Sequence, residues 1–334
     1  MNIVVLAGGL SMERDVSLAS GSLIANALRD AGHNAVLVDL YYGIAKDKMN
    51  FGDMTGRYKY KIPENEPNLD EIIKSNDGRL NPIGKNIVEF CKMADVTFLA
   101  LHGGVGENGK LQAVLEMNGV KFTGSSSIGC MISMDKIISK ELISKAEIPT
   151  ANWLTNENSI EELKTLVPCF VKPADNGSSV GVTKVVSEIE LREALKKAEK
   201  YCENVLVEEQ IVGREFSVGI LDGKALPPIE IIASGDFYNY QVKYQAGLAH
   251  EICPAPLDKK HTKKLQEYAE RAHKILRLGS YSRIDFIMDE HGEFFFLEAN
   301  SLPGMTPTSL LPQEAAAAGL DYTALCLKLI ELAK

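Results

Sequence analysis

Lys172-Pro173-Ala174-Asp175-Asn176-Gly177-Ser178-Ser179-Val180-Gly181-Val182 is a run of small residues behind a lysine. It lies between two stretches, 169–173 and 181–186, whose apolar and β-branched residues read as strands. Most phosphate loops join a strand to a helix; this one joins strand to strand. Small residues let backbone N–H groups come close to an anion and form a nest for it. Lys172 adds a cation at the strand end. An ordinary Gly/Ser hairpin with a surface lysine reads the same way. Further strands follow at 204–209, 214–222 and 227–232, with helices at about 187–200 and 257–277 between and after them.

Downstream, Arg283-Ile284-Asp285 and Leu297-Glu298-Ala299-Asn300 fall on two strands, 281–289 and 293–299, around the turn Asp289-Glu290-His291-Gly292. Side chains alternate along a strand, so Glu298 and Asn300 share a face and Asp285 can meet them across the pair. Three oxygen donors on one face suit Mg²⁺, which keeps waters and completes its shell with substrate phosphate. Zinc fits poorly, because the cluster has no His or Cys. A solvated strand face is the weaker alternative, since Phe294, Phe296 and Leu297 make the hairpin apolar, and carboxylates there need a metal or a partner such as Arg283.

Upstream, strand and helix alternate: a strand at 2–7, a helix from a Ser11 cap to about Ala31, and a strand at 35–40. This βαβ order predicts a parallel sheet. Residues 42–86 are polar and read as loop. A buried strand at 95–101 runs into His102-Gly103-Gly104, followed by a helix at 110–118, a short strand near 120–123 and a helix at 134–146. A helix closes the chain at 321–333. Gly104 to Lys110 spaces like a P-loop, but Leu111 stands where the Ser or Thr must be. Gly8-Gly9 lacks the rest of a dinucleotide fingerprint.

The chain of 334 residues carries 36 basic and 45 acidic side chains, a net charge of −9, which argues against a nucleic-acid partner. Apolar residues at 45% and charged residues at 24% exclude a disordered or fibrous chain. Its length suggests about two domains or three smaller ones. The six cysteines form no CxxC pair, and no run is long enough to span a membrane. Reduced thiols in a cytoplasmic protein are the expectation.

Together the strand–glycine-loop–strand unit and the carboxylate hairpin resemble the ATP-grasp superfamily. Two more stretches, Gly8 to Ser17 and Leu101 to Gly109, bring the resemblance to the D-alanine–D-alanine ligase family. The resemblance implies an α/β ATP-grasp fold, with an N-terminal parallel-sheet domain (1–124) and two mixed domains (125–211 and 212–334) clasping ATP. Lys136 and Lys172 would meet the nucleotide phosphates; Glu208, Ile211 and Glu215 match the adenosine-binding strand and loop. Asp285, Glu298 and Asn300 match ligands of two Mg²⁺ ions, with Mn²⁺ and a monovalent cation as open additions. Glu13, His102, Ser178 and Gly304 match positions around a first D-alanine, and Arg283, Ser309 and Leu310 those around a second. Lys243-Tyr244 matches a lid loop near 236–252, with Lys243 towards ATP and Tyr244 towards Ser178 and Glu13. A homodimer is also implied.

The activity implied is ATP-dependent joining of two D-alanines through an acyl phosphate, for peptidoglycan precursors. D-lactate or D-serine as second substrate stays open, because the lid continues Gln245-Ala246-Gly247-Leu248-Ala249-His250-Glu251, rich in small residues. A biotin-carboxylase-like enzyme fits the Glu13 region less well. A non-catalytic nucleotide-binding protein is disfavoured, since competent side chains fill every matched position. Taken alone, Lys136 beside Lys140 and Glu141 reads as a solvated helix face, Glu13 as a dipole partner at a helix start, and His102 as a sheet-edge residue.

Overall fold

The computed structural model describes residues 1–52, 56–63, 65–177, 180–233 and 249–334. The N-terminal βαβ reading holds. β1 (Asn2–Ala7) is buried from Ile3 onward and pairs in parallel with β2 (Asn34–Asp39) and β3 (Val96–Leu99), so the sheet runs β2-β1-β3. α1 (Arg14–Asp30) connects β1 to β2. Ser11 is not its cap: Glu13 is, while Ser11 donates its hydroxyl to the His102 carbonyl at 2.7 Å and so ties the helix start to the end of β3. The 42–86 stretch holds a helix that its polarity hid, α2 (Leu69–Ser75), capped by Asn68. Then come α3 (Ile87–Met93) and α4 (Lys110–Met117). The strand expected near 120–123 reduces to a single bridge, Thr97 to Phe122.

The helix expected at 134–146 is two helices. α5 (Ser127–Met134) ends at Asp135, whose carboxylate accepts the N–H groups of Ile137 and Ile138 at 3.0 Å and starts α6 (Lys136–Lys145). Next lies a four-stranded antiparallel sheet. Its members are β4 (Trp153–Thr155), β5 (Cys169–Pro173), β6 (Thr183–Val185) and β7 (Val205–Glu209), in the order β4-β7-β5-β6. Short α7 (Ile160–Leu163) and amphipathic α8 (Glu188–Ala198) cover it.

The largest sheet holds β8 (Arg214–Leu221), the short β9 (Lys224–Ala225), β10 (Ile229–Ala233) and β11 (Ala249–Ile252). α9 (Lys259–Ile275) follows and buries Leu265, Ala269 and Ala272 against the sheet. β12 (Tyr281–Met288) and β13 (Phe294–Asn300) complete the order β11-β10-β8-β12-β13, with β9 beside β8. The turn between β12 and β13 is the expected one, with Asp289 Oδ1 accepting from His291 and Glu293.

After the hairpin the chain turns back. α10 (Leu310–Ala317) and α11 (Tyr322–Glu331) place Leu311, Ala315, Leu325, Cys326, Leu329 and Ile330 in the same apolar cluster as β1 and α1. The first and last segments therefore share one core. All six cysteines are free thiols. Among the described residues no helix is long and apolar enough to cross a membrane.

Candidate active site

A cavity of about 800 Å³ opens between the four-stranded sheet and the large sheet. Phe170, Ile211, Val212, Ile231 and Leu297 give it apolar walls, and Lys136, Lys172, Lys184, Glu208 and Asp285 supply its charge. That size and lining suit a nucleotide: apolar surface for a base, cations for phosphates.

Lys172 and Glu208 come from adjacent strands. Phe170 stands opposite Glu208 in the β5–β7 register, which puts Lys172 diagonally across from it on the same face. Lys172 Nζ lies 3.4 Å from Glu208 Oε1. Burial pushes the Glu208 carboxyl up, but Lys172 and Lys140 outweigh it and hold it below the usual carboxylate range. Ile211 and Glu215 line the same cavity. Lys136 does more than the solvated reading allows: its Nζ donates to the Asn176 carbonyl at 2.6 Å, and its backbone N–H to Ala174 at 2.9 Å. These bonds pin the glycine loop to the start of α6. The next part of that loop, Ser178 and Ser179, lies outside the described residues, as do Lys243 and Tyr244.

The carboxylate hairpin carries a feature that alternation does not foretell. Asp285 faces Glu298, yet the next residue, Phe286, faces Phe296. Leu297 is the extra residue of a β-bulge, and Leu297 and Glu298 both line the large cavity. Asp285 is 4% exposed, and three partners hold it. Ser217 Oγ donates at 2.7 Å, Asn300 Nδ2 at 3.1 Å, and Arg283 donates from both Nε and Nη2. Lys136 Nζ stands 4.0 Å from Glu298 Oε2. Protein cations thus hold the carboxylates where a metal would provide charge. The donors are all oxygens, and among the described residues no three His, Cys, Asp or Glu side chains gather to bind a metal alone. This set fits an ion that takes part of its shell from water and phosphate, as Mg²⁺ does.

A smaller cavity of about 230 Å³ adjoins the first. Glu13, His102, Asn300, Gly304, Ser309 and Leu310 line it, so most of the expected substrate positions converge there. Glu13 is the N-cap of α1 and 8% exposed, buried against the pocket rather than serving only the helix dipole. Gly103 is required beside it: at φ +68°, a Cβ would sit 3.0 Å from Glu13 Oε2. Burial disfavours charge on His102, but Glu107, with its oxygen 3.8 Å from Nδ1, and Glu13 outweigh it and raise the imidazole above its ordinary range. Its Nε2 is buried with no hydrogen-bond partner within bonding geometry among the described residues. The Leu302 backbone also favours the charged form of this imidazole, which lines the smaller cavity.

Glu107 and Glu251 also line this pocket and carry no signal that singles them out in the sequence. Glu107 lies within Leu101–Gly109, and its proximity to His102 is what gives it meaning. Glu251 accepts from Gln313 Nε2 across from α10, and no spacing rule connects those two residues.

Lys136, Arg283, Glu298 and Leu310 line both cavities. A nucleotide's terminal phosphate and a small polar molecule would therefore meet at two cations and a carboxylate. This fold and this corner define an ATP-grasp ligase. The model for the D-ala D-ala ligase N-terminus matches residues 2–125, and that for the C-terminus matches residues 142–331. A D-alanine–D-alanine ligase of Pediococcus pentosaceus is 42% identical, over 98% of this chain and 95% of that one. The crystal structure of the Bacillus anthracis D-alanine–D-alanine ligase complexed with ATP superposes with a TM-score of 0.77 at 29% identity, covering 99% and 96% of the chains. The VanG D-Ala:D-Ser ligase of Enterococcus faecalis gives 0.79 at 27% identity, covering 99% of each. The chain belongs to the D-alanine–D-alanine ligase family.

Proposed function

We propose that this protein joins two D-alanines into D-alanyl-D-alanine through an acyl phosphate, with ATP converted to ADP and phosphate, as a step towards peptidoglycan precursors. The supporting observation is the shared corner: Lys136, Arg283 and Glu298 border both the nucleotide-sized cleft and the small polar pocket.

A carboxylate does not react with an amine at neutral pH, because oxide is a poor leaving group. Phosphorylation removes that barrier. A carboxylate oxygen of the first D-alanine attacks the γ-phosphorus, and the bond from phosphorus to the β–γ bridging oxygen breaks. Lys136 and Lys172 draw the phosphates into line. Asp285, Glu298 and Asn300 would hold two divalent cations, Mg²⁺ or Mn²⁺, which when bound neutralise the spreading charge. The free amine of the second D-alanine then attacks the acyl carbon. A C–N bond forms, the C–O bond to phosphate breaks, and the amine proton is released.

Arg283 and the backbone near Gly304 stabilise the oxyanion of that second step. Glu13 and His102 orient the first D-alanine, while Ser309 and Leu310 border the second. Glu208, Ile211 and Glu215 hold the adenosine. Ser178 and Tyr244 would act beside Glu13 at the first D-alanine and Lys243 at ATP, and exclusion of water from the acyl phosphate would fall to the segment near 236–252. A cytoplasmic location and a homodimer complete the reading; sedimentation checks the latter.

The deciding experiment is mass spectrometry of the purified protein with ATP, Mg²⁺ and D-alanine, with parallel mixtures adding D-serine or D-lactate. ADP and D-alanyl-D-alanine as main products are expected. A mixed product would keep the chemistry and change the second substrate. Folded protein that binds ATP and yields neither ADP nor dipeptide would overturn the proposal.

A further inference from the structure

Lys140 is 1% exposed, a lysine among the largest fully buried side chains of the molecule. A buried cation is expensive unless something requires it. Its Nζ donates to Thr150 Oγ1 at 2.6 Å and lies 3.3 Å from Glu208 Oε2 and 5.2 Å from the centre of the Trp153 ring. Thr150 in turn donates to the Phe296 carbonyl at 2.9 Å, which anchors the arrangement to β13. Lys140 is not among the residues that line the large cavity, whereas Glu208 is. It therefore reaches the cavity only through that carboxylate.

The two lysines on Glu208 differ in what else they can do. Lys172 lines the cavity and can turn to a phosphate. Lys140 has no such choice, so it remains on Glu208 when a nucleotide is bound. Burial and neighbouring Lys172 lower the Lys140 ammonium from its ordinary range, and Glu208 with Glu209 opposes them. The fixed geometry keeps Oε2 occupied from behind and leaves an ionised carboxylate facing the base end of the cleft.

An ionised carboxylate only accepts hydrogen bonds. It matches a purine with an amino group at that edge and repels one with a carbonyl there. We propose that Lys140 is a positioning residue for nucleobase specificity, holding Glu208 as a fixed acceptor so that the site takes a 6-amino purine over a 6-oxo purine. This rests on the adenosine placement proposed above. Without Lys140, Glu208 is a buried carboxyl that takes up a proton more readily, and a protonated carboxyl can donate to a carbonyl.

The test is calorimetric binding of ADP and IDP to the full chain and to Lys140→Met, with no second substrate and no turnover. The wild type is expected to favour ADP strongly, because sites built around a buried polar group reject the analogue that leaves it unpaired. Lys140→Met should reduce the ADP:IDP affinity ratio by at least ~10-fold, with loss of ADP affinity and little loss of IDP affinity. Combined with Glu208→Gln, Lys140→Met should add no further loss of the ratio, since it acts through that carboxylate. Thr150→Val, a milder removal of the Nζ partner, should reduce the ratio in the same direction if Lys140→Met fails to fold. Equal loss for both nucleotides, or an additive double variant, would overturn the inference. Dipeptide synthesis is not read, so a protein that selects ADP but makes no dipeptide would sink the proposed function and leave this one standing.

Discussion

Arg283 and Asp285, two residues apart on one face of β12, are joined by two hydrogen bonds: Nε to Oδ1 at 2.9 Å and Nη2 to Oδ2 at 2.7 Å. The bidentate pairing fixes the guanidinium plane at the boundary of the two cavities. Neither partner can be replaced by a residue with a single donor or acceptor without losing that orientation. The arrangement joins the group proposed for the oxyanion to the group proposed for the metal.

Replacing Arg283 should therefore separate chemistry from binding. Arg283→Ala is expected to lower the rate of dipeptide formation by about 10²–10³-fold, the range for loss of an oxyanion donor. The dissociation constant for ADP, held mainly by the lysines and the apolar walls, should change less than ~3-fold, since Arg283 borders only one end of that cleft. Steady-state rates beside calorimetric ADP binding check this. A variant with a wild-type rate would remove Arg283 from the mechanism.

Glu298 has a different signature. It faces Asp285 across the hairpin and stands 4.0 Å from Lys136. Glu298→Gln keeps the shape and removes a charge, so Mg²⁺ should be held more weakly. The Mg²⁺ concentration for half-maximal turnover is expected to rise by at least ~10-fold, as loss of one charged ligand contact is worth more than ~1.4 kcal/mol. A Mg²⁺ titration at fixed ATP reads it directly, and an unchanged midpoint would strike Glu298 from the ligand set.

These residues were legible because strand alternation is local. Glu298 and Asn300 share a face by spacing alone, and Asp285 meets them once the hairpin turn is recognised. The bulge at Leu297 was not legible: it depends on how β13 fits the rest of the sheet, and no turn residue marks it. Lys140 shows the same limit more sharply. It sits one residue before the exposed Glu141 in a charged helix, and only Glu208, remote in sequence, converts it from surface to core. Helix α2 was hidden because its apolar spacing, Leu69, Ile72 and Ile73, spans only two turns within a polar stretch, and none of its residues is buried. Thus the strands and the carboxylate hairpin follow from patterns a few residues long, whereas the order of strands in each sheet and the meeting of Lys136 with Glu298 at the shared corner do not. The buried charges behind that corner follow from contacts between distant segments.

The loop from β7 to β8 gives a steric prediction. An ideal Cβ on Gly213 would stand 2.0 Å from the Met288 carbonyl oxygen, closer than any real contact. Gly213 lines the cleft with Gln210, Ile211 and Val212. Gly213→Ala must push this loop away from the end of β12, at an expected cost of about 1–3 kcal/mol of stability, the usual scale of overpacking. The displaced wall should raise the KM for ATP more than the KM for D-alanine. Urea unfolding and the two KM values test it, and an equal rise in both would show that the damage is not confined to the nucleotide side.

Glu314 links the site to pH. It is fully buried in α10, where its Oε1 accepts the Gly219 N–H at 2.8 Å and its Oε2 has no hydrogen-bond partner among the described residues. Burial pushes its carboxyl up to about 8, against the opposing effects of that N–H and of Arg283, with Asp285 adding to the rise. The unfolded chain has the ordinary value of 4.5, so between about pH 4.5 and 8 the folded protein holds a proton that the unfolded chain has released. Stability from this group is thus full below the unfolded value. It declines by up to ~1.4 kcal/mol per pH unit as pH rises, until the folded carboxyl also ionises near pH 8. Glu314→Gln resembles the protonated acid and cannot titrate, so the stability of the variant relative to wild type should increase steadily with pH across that window. Urea unfolding of both proteins at pH 5, 6.5 and 8 measures the difference, in which titrations common to the two cancel. A difference independent of pH would mean that Glu314 is already ionised in the folded protein, with Arg283 and the Gly219 N–H sufficient to hold its charge.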